Sequence, residues 1–131
     1  MKKMLIVEND ILSQNLLQRI FKSDFEINIC DSGEDYYEIF SATKFDIILM
    51  DVSLNGMLNG LDLIKDIKET NIIKDTPILC LSAHAETRTR KAALEAGADI
   101  FITKPVQNYV LKEAVESLLN PNLDKPEPKR E

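Results

Sequence analysis

The chain is poor in everything that builds a zinc site, a disulfide framework or a membrane span. Its 131 residues include two cysteines and one histidine, with no CxxC and no Cys/His cluster, so neither zinc ligation nor a disulfide scaffold is indicated. Cys30 and Cys80 fall in apolar, strand-like runs and read as small buried hydrophobes, in keeping with a reducing cytoplasm. No apolar stretch approaches the roughly 20 residues of a spanning helix. Met1-Lys2-Lys3 is basic, but Met4 to Val7 is all that follows before Glu8, too little for the core of a signal peptide. Positive charge is also scarce. The net charge is −6, and the basic residues are scattered among acids apart from Arg88, Arg90 and Lys91, which argues against a nucleic-acid surface on this chain. There is no internal repeat and no low-complexity segment before the tail.

What is present is ordinary globular composition, 44% hydrophobic and 29% charged, at a length suited to one domain with a proper core. Met4–Val7 reads as a first buried strand. Asp10 is a plausible N-cap for an amphipathic helix carrying Leu12, Leu16 and Ile20, with Leu17 and Phe21 beside them. Phe25–Cys30 alternates apolar and polar residues, as a strand near a sheet edge does. Ser32-Gly33-Glu34-Asp35 opens a second helix bearing Tyr36, Tyr37, Ile39 and Phe40, with acids in its first turn. The stretch from Phe45 holds the unbroken apolar run Ile47 to Met50, which stops on Asp51 and passes into the turn pair Asn55-Gly56.

A helix with Leu61, Ile64 and Ile67 starts at Asn59 or Gly60. Ile78–Leu81 is a fourth strand ending on Ser82, followed by an alanine-rich helix from Glu86 to Ala96 that Gly97 terminates. Ala98–Thr103 is a fifth strand ending on Lys104-Pro105, and the last helix runs from about Gln107 to Leu119 with Val110, Ala114 and Leu118 four residues apart. Residues 1–119 are expected to form the domain. Residues 120–131, with three prolines and many charges, are expected to be a flexible tail or the start of a linker.

Strict alternation of five strands and five helices implies a parallel sheet covered on both faces. Right-handed crossovers leave few topologies, of which the flavodoxin-like order 2-1-3-4-5 is favoured, with its switch point between the first and third strands. Cys30 and Cys80 then lie on strands that are not neighbours and cannot pair.

Ligands of such sheets bind outside the carboxyl ends of the strands. There stand Glu8, Asn9 and Asp10 from strand one, Asp51 from strand three, Ser82 from strand four and Lys104 from strand five. Oxygen ligands suit a hard cation such as Mg²⁺. A hydroxyl and an ammonium suit phosphoryl oxygens, and an aspartate can act as the nucleophile that becomes an aspartyl-phosphate. The residues thus read as a metal-assisted aspartyl phosphorylation site.

Leu5-Ile6-Val7-Glu8, Met50-Asp51 with Gly60 downstream, Ser82-Ala83 and Lys104-Pro105, in this order and at strand ends, resemble the receiver domain of two-component response regulators, over roughly residues 3–119. The single-domain chemotaxis-type regulators are similar. The resemblance implies that Asp51 accepts a phosphoryl group from a phosphohistidine on a sensor histidine kinase or a histidine phosphotransfer protein. It implies Mg²⁺ held by Glu8, Asn9, Asp51 and the carbonyl of Ser53, and Lys104 on the phosphoryl oxygens. Ser82 and Phe101 would form the switch, and Lys104–Pro105 resembles the family's cis peptide. His84 stands where the family tunes loss of the phosphoryl group, although a lone histidine at a helix start is commonly just solvated. The output would be a downstream partner, or a second copy, bound through the face of helix four, strand five and helix five. Such a protein is a signalling phosphoacceptor with at most self-phosphorylation and self-dephosphorylation.

Two departures stand out. Asn9 replaces the second acid of the first-strand pair and brings one negative charge fewer, so weaker Mg²⁺ binding is expected; Asp10 compensates only if it reaches the ion. The loop after Asp51 lacks the common Met-Pro and has one extra residue before Gly60.

A degenerate receiver that binds partners without phosphorylation is the alternative, urged by Asn9 alone. An aspartyl-phosphate hydrolase would want an acid two residues after the nucleophile, where Ser53 stands. A flavin or nucleotide site would be repelled by Glu8-Asn9-Asp10. The chain reads either as a stand-alone receiver, as Met1 directly before the first strand suggests, or as a piece of a longer hybrid kinase or regulator.

Overall fold

The computed structural model describes residues 1–52, 60–70, 75–83 and 87–120. In chain order these form β1 (Lys2–Val7), α1 (Ile11–Phe21), β2 (Phe25–Cys30), α2 (Gly33–Asp35) continued by a π-helical turn over Tyr36–Phe40, β3 (Ile47–Asp51), α3 (Gly60–Glu69), β4 (Ile78–Ser82), α4 (Thr87–Ala96), β5 (Ile100–Thr103) and α5 (Asn108–Leu119). The strands form one parallel sheet in the order β2-β1-β3-β4-β5. This is the expected flavodoxin-like topology, and the expected edge strand β2 lies at the edge.

The central strands β1, β3 and β4 are buried on both faces, which is why they read as continuous apolar runs. Their side chains alternate between two cores. Met4, Ile6, Leu49 and Leu81 pack under α1 and α5 against Leu17, Phe21, Leu111 and Val115. Leu5, Val7, Met50 and Cys80 point the other way, against Tyr36, Leu63, Ile64, Ile67 and Phe101. Each fully buried side chain of this size stabilises the fold by about 1.5–3 kcal/mol relative to an exposed one.

The apolar stripe expected on α1 is shifted by one row. Leu17 and Phe21 face the sheet, while Leu12 is 78% and Leu16 48% exposed. On α5 Leu111 and Val115 are buried, the expected Ala114 and Leu118 pack partly buried against the same core, and Val110 stays exposed. Both helices carry apolar residues on adjoining rows; one row seats fully on the sheet, while Ile20, Ala114 and Leu118 of the other pack partly buried at the margin of the same core. The second helix departs further: it makes a single α-turn, capped by Ser32 through its hydroxyl to the Asp35 N–H, before widening into the π-turn.

Gly97 closes α4 at φ +127°, a left-handed backbone that glycine alone adopts without strain; a Cβ there would come within 2.6 Å of Lys68 Cγ. Lys68, in the last turn of α3, pairs with Asp99 at 3.1 Å. Cys30 and Cys80 are free and buried, separated by β1 and β3. Burial pushes both thiols up to about 12, so neither is a thiolate at neutral pH.

Candidate phosphoacceptor site

The site is assembled by strand endings alone. Glu8 follows β1, Asp51 ends β3, Ser82 ends β4 and Lys104 follows β5. Parallel registry brings these endings to one rim: Val7 lies opposite Met50, Asp51 opposite Leu81, and Ser82 opposite Thr103. Glu8 is 1% and Asp51 5% exposed, and Ser82 is buried. Burying two carboxylates side by side is costly without a cation, and Lys104 supplies one. Its Nζ donates to Glu8 Oε1 at 3.0 Å and lies 3.6 Å from Asp51 Oδ2. The Lys104–Pro105 peptide is cis, as the resemblance implied.

The electrostatics follow from this crowding. Burial, and then the Asp51 carboxyl beside it, hold Glu8 above the usual carboxylate range despite the Lys104 ammonium. Burial alone would lower Lys104, but Glu8 and Asp51 together outweigh it and raise the ammonium above its ordinary value.

The β1–α1 loop is pinned at every polar group of Glu8. Its backbone N–H donates to the Cys30 carbonyl at 3.0 Å and its Oε2 accepts from the Asp10 N–H at 3.1 Å. Its carbonyl accepts from the Gln14 side-chain amide, which also donates to Asp31 Oδ1 at 3.1 Å. Gln14 and Asp31 carry no motif, and only the fold brings them to the loop. Asp10 is the N-cap of α1, accepting from the Ser13 N–H at 2.8 Å, and this bond lowers its carboxyl. Asn9, half-buried, sits between Glu8 and this cap.

Among the described residues no three His, Cys, Asp or Glu side chains converge as a metal cluster. The acids that Lys104 bridges are Glu8 and Asp51, and Asn9, next to Glu8 in the chain, carries a neutral amide. Such oxygen donors fit Mg²⁺, which takes few protein ligands and keeps several waters.

Gly60, at the start of α3, lies against the backbone that follows Asp51: a Cβ would come within 2.5 Å of Val52 Cα and 2.8 Å of the Asp51 carbonyl. Phe101 is buried from β5, with the Arg90 guanidinium of α4 5.8 Å from its ring centroid. Ser53 and His84 lie outside the described residues.

Comparison with known proteins agrees with this geometry. The profile of the response regulator receiver domain matches residues 4–116. The chain is 30% identical over 119 residues to the chemotaxis protein CheY of Halobacterium salinarum, covering 90% of this chain and 97% of that one. It is 28% identical to the regulatory protein VanRB of Enterococcus faecalis over 88% of this chain, and spans only 51% of that longer protein. The receiver domain of the sensor histidine kinase PA1611 from Pseudomonas aeruginosa, solved with a magnesium ion coordinated in its active-site cleft, superposes with a TM-score of 0.82 at 23% identity, covering 90% of this chain and 97% of that one. By sequence, fold and the grouping of carboxylates, hydroxyl and ammonium at the strand ends, the chain belongs to the receiver domains of two-component response regulators, a family of signalling phosphoacceptors.

Proposed function

We propose that this receiver is an active phosphoacceptor that takes a phosphoryl group from a phosphohistidine onto Asp51. The single observation that supports this most is the Glu8–Lys104–Asp51 cluster, in which a buried nucleophile is paired with the cation that would meet phosphoryl oxygens. In the transfer a carboxylate oxygen of Asp51 attacks phosphorus, the bond from phosphorus to the donor's imidazole nitrogen breaks, and that nitrogen keeps the electron pair. Lys104 offsets charge on the phosphoryl oxygens, and the Ser82 hydroxyl hydrogen-bonds the transferred group. Glu8, Asn9, Asp51 and the Ser53 carbonyl would hold Mg²⁺, which supplies charge stabilisation at the phosphoryl group when bound.

The donor is a sensor histidine kinase or a histidine phosphotransfer protein. Ser82 and Phe101 carry the change to the face of α4, β5 and α5, where a downstream partner or a second copy binds. The protein acts in the cytoplasm; among the described residues no helix is long and apolar enough to cross a membrane.

Asn9 favours a second reading, a receiver that binds partners without being phosphorylated. Intact mass after incubation with acetyl phosphate, with and without Mg²⁺ and beside Asp51→Asn, separates the two. A phosphate-sized gain that needs both Mg²⁺ and Asp51 establishes the switch. No gain, with acetyl phosphate or with candidate kinases, establishes the binding module.

A further inference from the structure

We infer that Gln14 is a positioning residue for the Mg²⁺ site, clamping the β1–α1 loop through the Glu8 carbonyl and itself oriented by Asp31. Both partners of its amide are acceptors, so the side chain must present its NH₂ to them and its orientation is fixed. One nitrogen thereby ties three segments together: the end of β1, the first turns of α1 and the residue after β2. The peptide it holds is Glu8–Asn9, whose plane sets the direction of the Asn9 side chain and of the turn to Asp10. Gln14 also belongs to the first turn of α1, its N–H bonded to the Asp10 carbonyl at 2.9 Å, so the clamp reaches back over its own helix start.

The clamp matters more in this chain than it would with a full acid pair. A site with one carboxylate fewer has less attraction to spare, and each degree of freedom that Mg²⁺ must freeze on binding subtracts from a smaller total. A loop held in place before the ion arrives avoids that loss. Asp31 needs only to accept the second N–H of the amide, so asparagine there keeps the clamp and alanine frees it.

This inference rests on the proposed Mg²⁺ binding, and the test separates the two. Mg²⁺ titrations of the full chain, followed by amide chemical shifts at high monovalent salt to screen Asp31's own charge, compare the wild type with Gln14→Met, Asp31→Ala, Asp31→Asn, the Gln14→Met/Asp31→Ala pair and Gln18→Met as a helix control. Loss of one such hydrogen bond predicts a Kd raised about three- to tenfold in Gln14→Met, with faster amide exchange at Asn9 and Asp10 in the metal-free protein. Asp31→Asn and Gln18→Met should match the wild type, and the double variant should bind no more weakly than Gln14→Met alone. An unchanged Kd in Gln14→Met, an equal loss in Gln18→Met, or additive losses in the pair would overturn the clamp. A wild type that does not bind Mg²⁺ would fell the phosphoacceptor reading as well. In that case unchanged exchange at Asn9 and Asp10 in Gln14→Met would independently exclude the clamp.

Discussion

Replacing Lys104 by methionine removes the only cation that faces Glu8 and Asp51 among the described residues, and the size of the effect can be worked out. The two contacts lie at 3.0 and 3.6 Å; at an effective dielectric of about 20 each carries an attraction on the order of 5 kcal/mol. Most of that offsets the desolvation of the charges, so it is not the net loss. A tighter bound comes from proton uptake. Once Lys104 is gone, the strain is relieved when Glu8 binds a proton, and at pH 7 this costs at most about 3.4 kcal/mol relative to an ordinary value of 4.5.

The expected destabilisation of metal-free Lys104→Met is therefore about 2–3 kcal/mol at pH 7. The sign of its pH dependence follows. A carboxyl whose folded pKa is raised favours the native state below its unfolded value and loses that contribution as pH rises through the folded one. The penalty should thus shrink as the pH is lowered from 7, by at most about 1.4 kcal/mol per pH unit, and vanish once Glu8 is protonated in both proteins, which its raised wild-type value places above pH 4.5. Urea denaturation of both proteins between pH 4.5 and 7.5, without divalent metal, measures it. A loss that stayed constant over that range would show that Lys104 acts through packing of its aliphatic stem and would refute the electrostatic account.

Three further outcomes are expected. Gly60→Ala drives a methyl into backbone at Val52 and Asp51, neither of which is a flexible side-chain end, so thermal melts should show a loss of about 3 kcal/mol, the upper end of the usual range for overpacking. Tyr36→Phe removes a buried hydroxyl that has no hydrogen-bond partner among the described residues; its melting temperature should equal or exceed the wild type's, by up to about 1 kcal/mol in stability. Asn9→Asp restores the second acid and should tighten Mg²⁺ binding in a calorimetric titration, and an unchanged affinity would remove the argument that Asn9 weakens the site.

The fold was legible because the strands are short, nearly all apolar and end abruptly on polar groups. Those endings also revealed the site, since parallel registry puts Glu8, Asp51, Ser82 and Lys104 on one rim whatever the helices do. Helix faces were less legible. Leu12 and Leu16 satisfy helical spacing as well as Leu17 and Phe21 do, and which row meets the sheet is decided by the entry angle of the chain from the Asp10 cap, a tertiary matter. Likewise Ser32-Gly33-Glu34-Asp35 announces a helix start correctly, but the π-turn after Asp35 has no sequence signal in the apolar spacing of Tyr36, Tyr37, Ile39 and Phe40. Gln14 was invisible for another reason: its partners are a backbone carbonyl and a carboxylate 17 residues away, and no local pattern encodes either.

The backbone N–H of Lys104 donates to the Ser82 carbonyl at 2.8 Å, the last rung between β4 and β5. The hydroxyl and the ammonium that would grip a phosphoryl group are thus mounted on the two ends of a single hydrogen bond. Neither main chain can shift toward a ligand without stretching or dragging the other. The Lys104 amide proton is consequently a built-in strain gauge: its chemical shift and exchange rate report the state of the serine side of the site without any label being introduced.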